Sequence, residues 1–151
     1  MQTLKIEIPK GYEIDSFDKL SGEIKFKAAK PKNVMERIKT IDDVLADNGI
    51  TQSTFNDWSE GLSQDEVAYR TLKLLTKSLN EGWVPDWSNS KEYKYFPWFE
   101  MNGSSGFRFC DDGFWYSTSA VGSRLCFKTS ELAEYAGRQF TFLYNRFLII
   151  Q

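Results

Sequence analysis

Alternating apolar and polar residues predict strands near the start of the chain. Residues Leu4–Ile8 and Ile24–Ala28 each alternate apolar with charged side chains. A period of two gives a strand one apolar face and one polar face. Pro9 and Gly11 lie between the two runs, and Pro31 follows the second. We therefore predict a β-hairpin module over residues 1–30.

Apolar residues at helical spacing predict two to three helices after this hairpin. A short helix is expected around Val34–Lys39, and Thr40 and Asp43 have the spacing of a capping box for the next helix. Residues 51–62 show no periodicity and are predicted to form a loop, which makes residues 31–62 a helical connector. Ser63 and Glu66 again have capping-box spacing, ahead of apolar residues at positions 68, 72, 75 and 79.

Short aromatic runs predict an antiparallel meander in the second half of the chain. Strands are expected at residues 93–99, 107–110, 114–118 and 124–127, with turns at Asp111-Asp112-Gly113 and Val121-Gly122. Apolar residues at helical spacing follow Thr129, so a C-terminal helix should pack on the meander. The predicted fold class is α+β, with residues 63–151 forming a helix–meander–helix core domain.

Composition removes several classes of function. The chain has 151 residues, of which 41% are hydrophobic and none is histidine. Without histidine there is no Ser–His or Cys–His nucleophile and no His-containing metal site. Cys110 and Cys126 are too few for a disulfide framework or a zinc site, and we expect both to be reduced and buried.

No apolar run reaches the length of a membrane span, and no secretory signal is recognisable. We therefore expect no membrane contact, and we expect the protein to act in a cytoplasmic, reducing compartment.

Two groups of polar residues offer candidate catalytic side chains. Glu100, Asp111 and Asp112 offer carboxylates, and hydroxyls around residues 117–123 lie near Lys128 in the chain. A small hydrolase using carboxylates or a Ser–Lys pair is therefore one alternative function. Neither group has diagnostic spacing, and G-x-S-x-G is absent. We predict no catalytic residue, no metal site and no cofactor.

An aromatic belt is the most distinctive feature of the chain. Twelve of the 34 residues from Trp83 to Tyr116 are aromatic. Binding surfaces use exposed tyrosine and tryptophan because these rings offer a large area at low entropic cost. The candidate partner-binding residues are Trp83, Trp87, Tyr95, Trp98, Arg108 and Arg124. Single-stranded nucleic acid is the alternative ligand, which the net charge of −2 disfavours.

Several strings resemble sequences of a widespread family. The opening KIEIPKGYEID and GEIKFK resemble a hairpin module at the start of many small proteins of gut bacteria and their phages. The segments LNEGWVPDWSNSKEYKYFPWF and FWYSTSAVGSRLCFKTSELAEYAGRQF are similar to small uncharacterised proteins of the same bacteria, their tailed phages and mobile elements. The resemblance implies an accessory protein of a phage or mobile element, acting in the host or carried in a virion.

Together these observations predict a non-catalytic binding module. The expected partner is a protein or a second copy of the chain, contacted through the exposed aromatic residues.

Overall fold

A computed structural model describes residues 5–29, 31–118 and 124–149, and it confirms the α+β fold. The chain divides into two compact units, Met1–Lys32 and Asn33–Gln151. The first contains strands β1 and β2. The elements are β1 (Tyr12–Phe17), β2 (Ile24–Ala28), α1 (Val34–Arg37), α2 (Ile41–Asp47), α3 (Gln52–Ser59), α4 (Gln64–Asn80), β3 (Lys94–Met101), β4 (Phe107–Trp115), α5 (Ser130–Gln139) and α6 (Thr141–Leu148).

The N-terminal hairpin is present, but its first strand lies further along the chain than predicted. Residues 5–9 form no strand, and β1 begins at Tyr12 after a turn in which Gly11 has a positive φ. The pairs Tyr12–Ala28 and Ile14–Phe26 place apolar residues on one face of the hairpin. Strand β2 was predicted correctly. The alternation at Leu4–Ile8 was misleading because Tyr12–Phe17 offers β2 an equally apolar partner.

Local capping signals fix the helices of the second unit. The Asp43 N–H donates to Thr40 Oγ1 at 3.2 Å, and the Thr40 N–H donates to Asp43 Oδ2 at 2.9 Å. This capping box starts α2 as predicted. At the start of α4 the Ser63 N–H donates to the Glu66 carboxylate at 2.8 Å. Helix α4 therefore begins where the sequence predicted.

The predicted loop over residues 51–62 is wrong, because α3 occupies most of it. Thr51 Oγ1 accepts a hydrogen bond from the Thr54 N–H at 3.1 Å and caps the helix. Phe55 is its only buried residue. A helix held by one ring shows no apolar stripe, which explains why periodicity did not reveal it.

The core of the second unit lies between α4, α5, α6 and the chain near Phe127. The apolar face of α4 predicted from its spacing is fully buried there. The buried core residues are Val34, Ile38, Val44, Ala68, Leu72, Leu75, Leu79, Leu125, Phe127, Leu132, Ala133, Ala136, Phe140, Leu143 and Tyr144. Burial of this much apolar surface is the main driving force for folding.

Strands β3 and β4 form one antiparallel hairpin around residues 102–106. The turn predicted at Asp111-Asp112-Gly113 is wrong, because β4 runs straight through it. Gly113 lies opposite Phe96, and a Cβ on Gly113 would be only 2.7 Å from Phe96 Cζ. The missing side chain therefore makes room for the Phe96 ring within the strand, so glycine here serves packing and not a turn.

Of the predicted meander beyond β3 and β4, the described residues retain one isolated β-bridge, between Tyr95 and Phe127. Tyr95 and Phe127 exchange two backbone hydrogen bonds, of 3.0 and 2.7 Å, but residues 124–127 form no named strand. The turn predicted at Val121-Gly122 lies outside the described residues. Asn80, at the end of α4, holds this segment by donating to the Cys126 carbonyl at 2.8 Å and accepting from the Lys128 N–H at 3.0 Å.

The C-terminal helix packs on the hairpin as predicted, but it is broken into two. Phe140 separates α5 from α6 and remains fully buried. Gly137 of α5 lies against the hairpin, because a Cβ there would be 2.6 Å from Phe109 Cε2 and 2.8 Å from Pro97 Cβ. The absent side chain lets helix and sheet approach closely.

Candidate functional site: three aromatic surfaces

Four rings form a cluster at the open end of the β3–β4 hairpin. Tyr95 pairs with Phe114, and Tyr93 and Tyr116 lie two residues away from this pair, just outside β3 and β4. Contacts among the four rings place them on one face. Ring centroids are 4.8 Å apart for Tyr93 and Phe114 and 4.9 Å apart for Tyr93 and Tyr116. We call these four residues the tyrosine cluster. Tyr93, Phe114 and Tyr116 are 42–48% exposed, and Tyr95 is half-buried.

The two outer tyrosines of the cluster are joined through their hydroxyls. Tyr116 donates to the Tyr93 hydroxyl across 3.4 Å. This hydrogen bond raises the pKa of Tyr116. The Tyr116 phenol is therefore neutral at physiological pH.

The opposite face of the hairpin carries a second group, Phe96, Trp98 and Trp115, which we call the tryptophan face. The Phe96 and Trp115 rings stack with centroids 5.3 Å apart, and Trp98 lies 6.3 Å from Phe96. Trp98 is 55% exposed. Arg108 lies opposite Glu100 on this face and forms an ion pair with it.

A groove of about 580 Å³ lies beside the C-terminal half of α4. Trp83 and Trp87, which follow the end of that helix, line it together with Arg124. We call it the tryptophan groove. Both indoles are half-buried, whereas Arg124 is exposed.

Lys94 connects the segment that carries these indoles to the hairpin. Its side chain is fully buried, and its ammonium donates to the carbonyls of Asn89 at 3.1 Å and Glu92 at 2.9 Å. The same ammonium lies 5.5 Å from the Trp87 ring centroid and 3.8 Å from the Glu92 carboxylate. A buried ammonium needs such partners, because an isolated buried charge is costly.

The six candidate residues therefore lie on three surfaces. Trp83, Trp87 and Arg124 line the tryptophan groove, Trp98 and Arg108 share one hairpin face, and Tyr95 belongs to the tyrosine cluster. Two further groove residues, Lys73 and Lys77 of α4, were not predicted from the sequence. Their spacing of four places both on one side of that helix, which is the signal that could have indicated them.

The cysteines differ from one another. Cys126 is buried, and burial raises its pKa to about 11. Its thiol is therefore protonated at neutral pH and is a poor nucleophile. The expectation that Cys110 is also buried is wrong. Cys110 is exposed. Trp98 pairs with Asp111 and Phe99 pairs with Phe109, so Cys110 has no partner on β3 and lies in a β-bulge.

Three of the catalytic candidates, Glu100, Asp112 and Lys128, have structural contacts. Asp112 accepts a hydrogen bond from the Ser130 hydroxyl at 2.9 Å, and Glu100 pairs with Arg108. The Lys128 ammonium lies 3.5 Å from Glu81. Of the hydroxyls placed near Lys128, those of Ser119 and Ser123 lie outside the described residues. Within the described ranges, no group of three or more Cys, Asp and Glu side chains could hold a metal ion.

No helix in the described part of the chain is long and apolar enough to cross a membrane. The relationship to small proteins of gut bacteria and their phages stays a prediction from the quoted strings. Comparison with protein-family models, curated proteins and solved structures finds no match to this chain.

Proposed function

We propose that this protein is a non-catalytic binding module that contacts a protein partner through its exposed aromatic residues. The tyrosine cluster is the observation that carries the proposal. Three of its rings are more than 40% exposed although each contacts another ring of the cluster. Rings held in place before binding lose little conformational entropy when a partner covers them.

The chemistry of the cluster favours a protein over a nucleic acid. None of its four members is Lys, Arg, Asp or Glu, and the chain as a whole carries a net charge of −2. Non-specific binding to nucleic acid depends on Lys and Arg that neutralise phosphates. Protein interfaces instead concentrate their binding energy in a few aromatic residues, with tyrosine among the commonest. The partner surface should therefore be largely apolar, with groups that can pair with the two hydroxyls.

The sequence resemblance supports a context for this activity. We propose an accessory protein of a phage or mobile element, which meets its partner in the host cytoplasm or in a virion. The partner is a host or phage protein, or a second copy of the chain.

The test compares cluster variants with an exposed aromatic elsewhere. Tyr93→Ala and Phe114→Ala remove rings of the cluster, and Phe142→Ala removes a ring of α6 that is 49% exposed. Immobilised wild-type and variant proteins are incubated with lysate of a phage-infected gut bacterium, and bound proteins are quantified by mass spectrometry. Circular dichroism establishes that each variant is folded. Light scattering of the purified proteins measures self-association.

We expect one lysate protein to bind the wild type and Phe142→Ala in similar amounts. The amount of this protein bound by each cluster variant should be about tenfold lower. A dimer that the same two variants dissociate would identify a second copy as the partner. The proposal is wrong if neither retention nor self-association depends on the cluster. It is also wrong if the cluster variants instead abolish binding of a single-stranded oligonucleotide at low salt.

A further inference from the structure

The tryptophan groove has an unbalanced charge. Three of its described lining residues are cationic and none is acidic. The lining residues are Lys73, Thr76, Lys77, Asn80, Gly82, Trp83, Val84, Pro85, Trp87, Arg124 and Cys126. Like charges that lie close together repel one another, so their concentration at one groove favours an anionic ligand.

The three cations are also available to a ligand. Lys73, Lys77 and Arg124 form no ion pair with any carboxylate of the described residues. Lys128, by contrast, lies near the same end of α4 and pairs with Glu81. The Lys73 ammonium lies 5.0 Å from the Tyr69 ring centroid and makes a cation–π contact with it. Lys77 and Arg124 are therefore the better candidates for contact with a ligand.

The apolar part of the groove suits a planar group. Trp83 and Trp87 line it together with Val84 and Pro85. Indole rings stack on planar rings, and base–aromatic stacking is worth about 1–3 kcal/mol per base in other proteins. The volume of about 580 Å³ falls within the range of small-molecule sites. A groove that combines indoles with unpaired cations matches a ligand that combines a flat ring with phosphate.

We propose that the tryptophan groove binds a nucleotide, with the base against an indole and the phosphate near Lys77 and Arg124. Arginine and lysine both pair with phosphate, and arginine does so through two parallel hydrogen bonds. An acidic peptide would match the charge but would leave the indoles without a planar partner. This inference goes beyond the proposed function, because no residue of the groove belongs to the tyrosine cluster.

Titration calorimetry of the full chain with ATP, with AMP and with a short deoxythymidine oligomer tests the site. Free nucleotide and single-stranded DNA offer the same chemistry, and the three titrations distinguish them. ATP binding tighter than AMP binding would show that phosphate charge contributes. Oligomer binding about tenfold tighter than ATP would identify a strand as the source of the nucleotide.

Matched variants assign the binding to the groove. Lys77→Gln and Arg124→Gln should each weaken the binding of the preferred probe by about tenfold. Lys91→Gln changes an exposed lysine outside the groove and should leave the affinity within about twofold. Trp83→Phe should also weaken binding, whereas Trp58→Phe on α3 should not.

Three results would overturn the proposal. One is the absence of heat with all three probes at about 1 mM, a concentration that would reveal even weak binding. The second is an affinity that Lys77→Gln, Arg124→Gln and Trp83→Phe leave unchanged. The third is a polyglutamate peptide that binds in preference to every nucleotide probe and loses its affinity in the same variants. Tyr93→Ala should not alter nucleotide binding, so this test and that of the protein-binding surface fail independently.

Discussion

Two core tyrosines use their hydroxyls differently. Tyr135 donates to the Ile38 carbonyl at 2.7 Å. Tyr144 is buried, and its hydroxyl has no hydrogen-bond partner among the described residues. Burial raises the pKa of both phenols, so both remain neutral. A buried polar group without a partner costs free energy that a paired one recovers.

Tyr135→Phe and Tyr144→Phe should therefore have opposite effects on stability. Tyr135→Phe removes one hydrogen bond and should lower the free energy of unfolding by about 1 kcal/mol. Tyr144→Phe removes an unpaired hydroxyl and should leave that free energy unchanged or raise it by about 1 kcal/mol. Urea denaturation of both variants measures the difference. A Tyr144→Phe protein less stable than Tyr135→Phe would show that the Tyr144 hydroxyl is bonded.

Residue types could be predicted from the sequence, but their neighbours could not. Trp83, Trp87 and Arg124 were predicted as partner-binding residues from their residue types alone. The structure places all three around one groove. The association of Arg124 with Lys73 and Lys77 depends on where Asn80 holds the segment around Cys126, which is a contact across 46 residues. Local patterns carry no information on such a contact.

At the level of elements, the packing of α5 on the hairpin depends on Gly137. Alanine is a better helix former than glycine by about 1 kcal/mol, so propensity alone predicts that Gly137→Ala stabilises the protein. The added Cβ would overlap the Phe109 ring and Pro97. Overpacking of this kind costs about 1–3 kcal/mol.

We expect Gly137→Ala to lower the free energy of unfolding by about 1–2 kcal/mol, because the steric cost exceeds the gain in propensity. Thermal denaturation followed by circular dichroism measures it. Gly137→Val introduces a larger side chain and should lower the free energy of unfolding further. A Gly137→Ala protein as stable as the wild type would mean that helix and hairpin separate easily.

Elements with both a capping signal and an apolar stripe were predicted, whereas those that lack the stripe or depend on distant contacts were not. The caps at Thr40 and Ser63 act within four residues, so α2 and α4 were found from the sequence. Residues Asp111–Gly113 favour a turn by their residue types, but they continue β4 because the Phe96 ring of the neighbouring strand packs over Gly113. Short-range preferences are overridden where cross-strand packing decides.

For the whole molecule, the division into two units has a direct consequence. Among the residues that the structure describes, every member of the hydrophobic core lies in the second unit, from Val34 onward. The first unit contains one two-stranded hairpin, and such hairpins are marginally stable in water.

A chain that starts at Asn33 should therefore keep its cooperative unfolding, with a Tm within about 3 °C of the full chain. The reason is that none of the described residues removed by the deletion belongs to the hydrophobic core. Differential scanning calorimetry of both chains measures it. Loss of the cooperative transition in the shorter chain would show that the core depends on the N-terminal hairpin.

The buried ammonium of Lys94 has a mechanical consequence for the tryptophan groove. Lifting the segment that carries Trp87 away from β3 would strip this cation of two carbonyl partners and of the indole beside it. Exposure of the ammonium to water would have to compensate for those losses. We therefore expect the wall of the groove that carries Trp87 to stay in place, so that the groove has a similar width with and without a bound ligand.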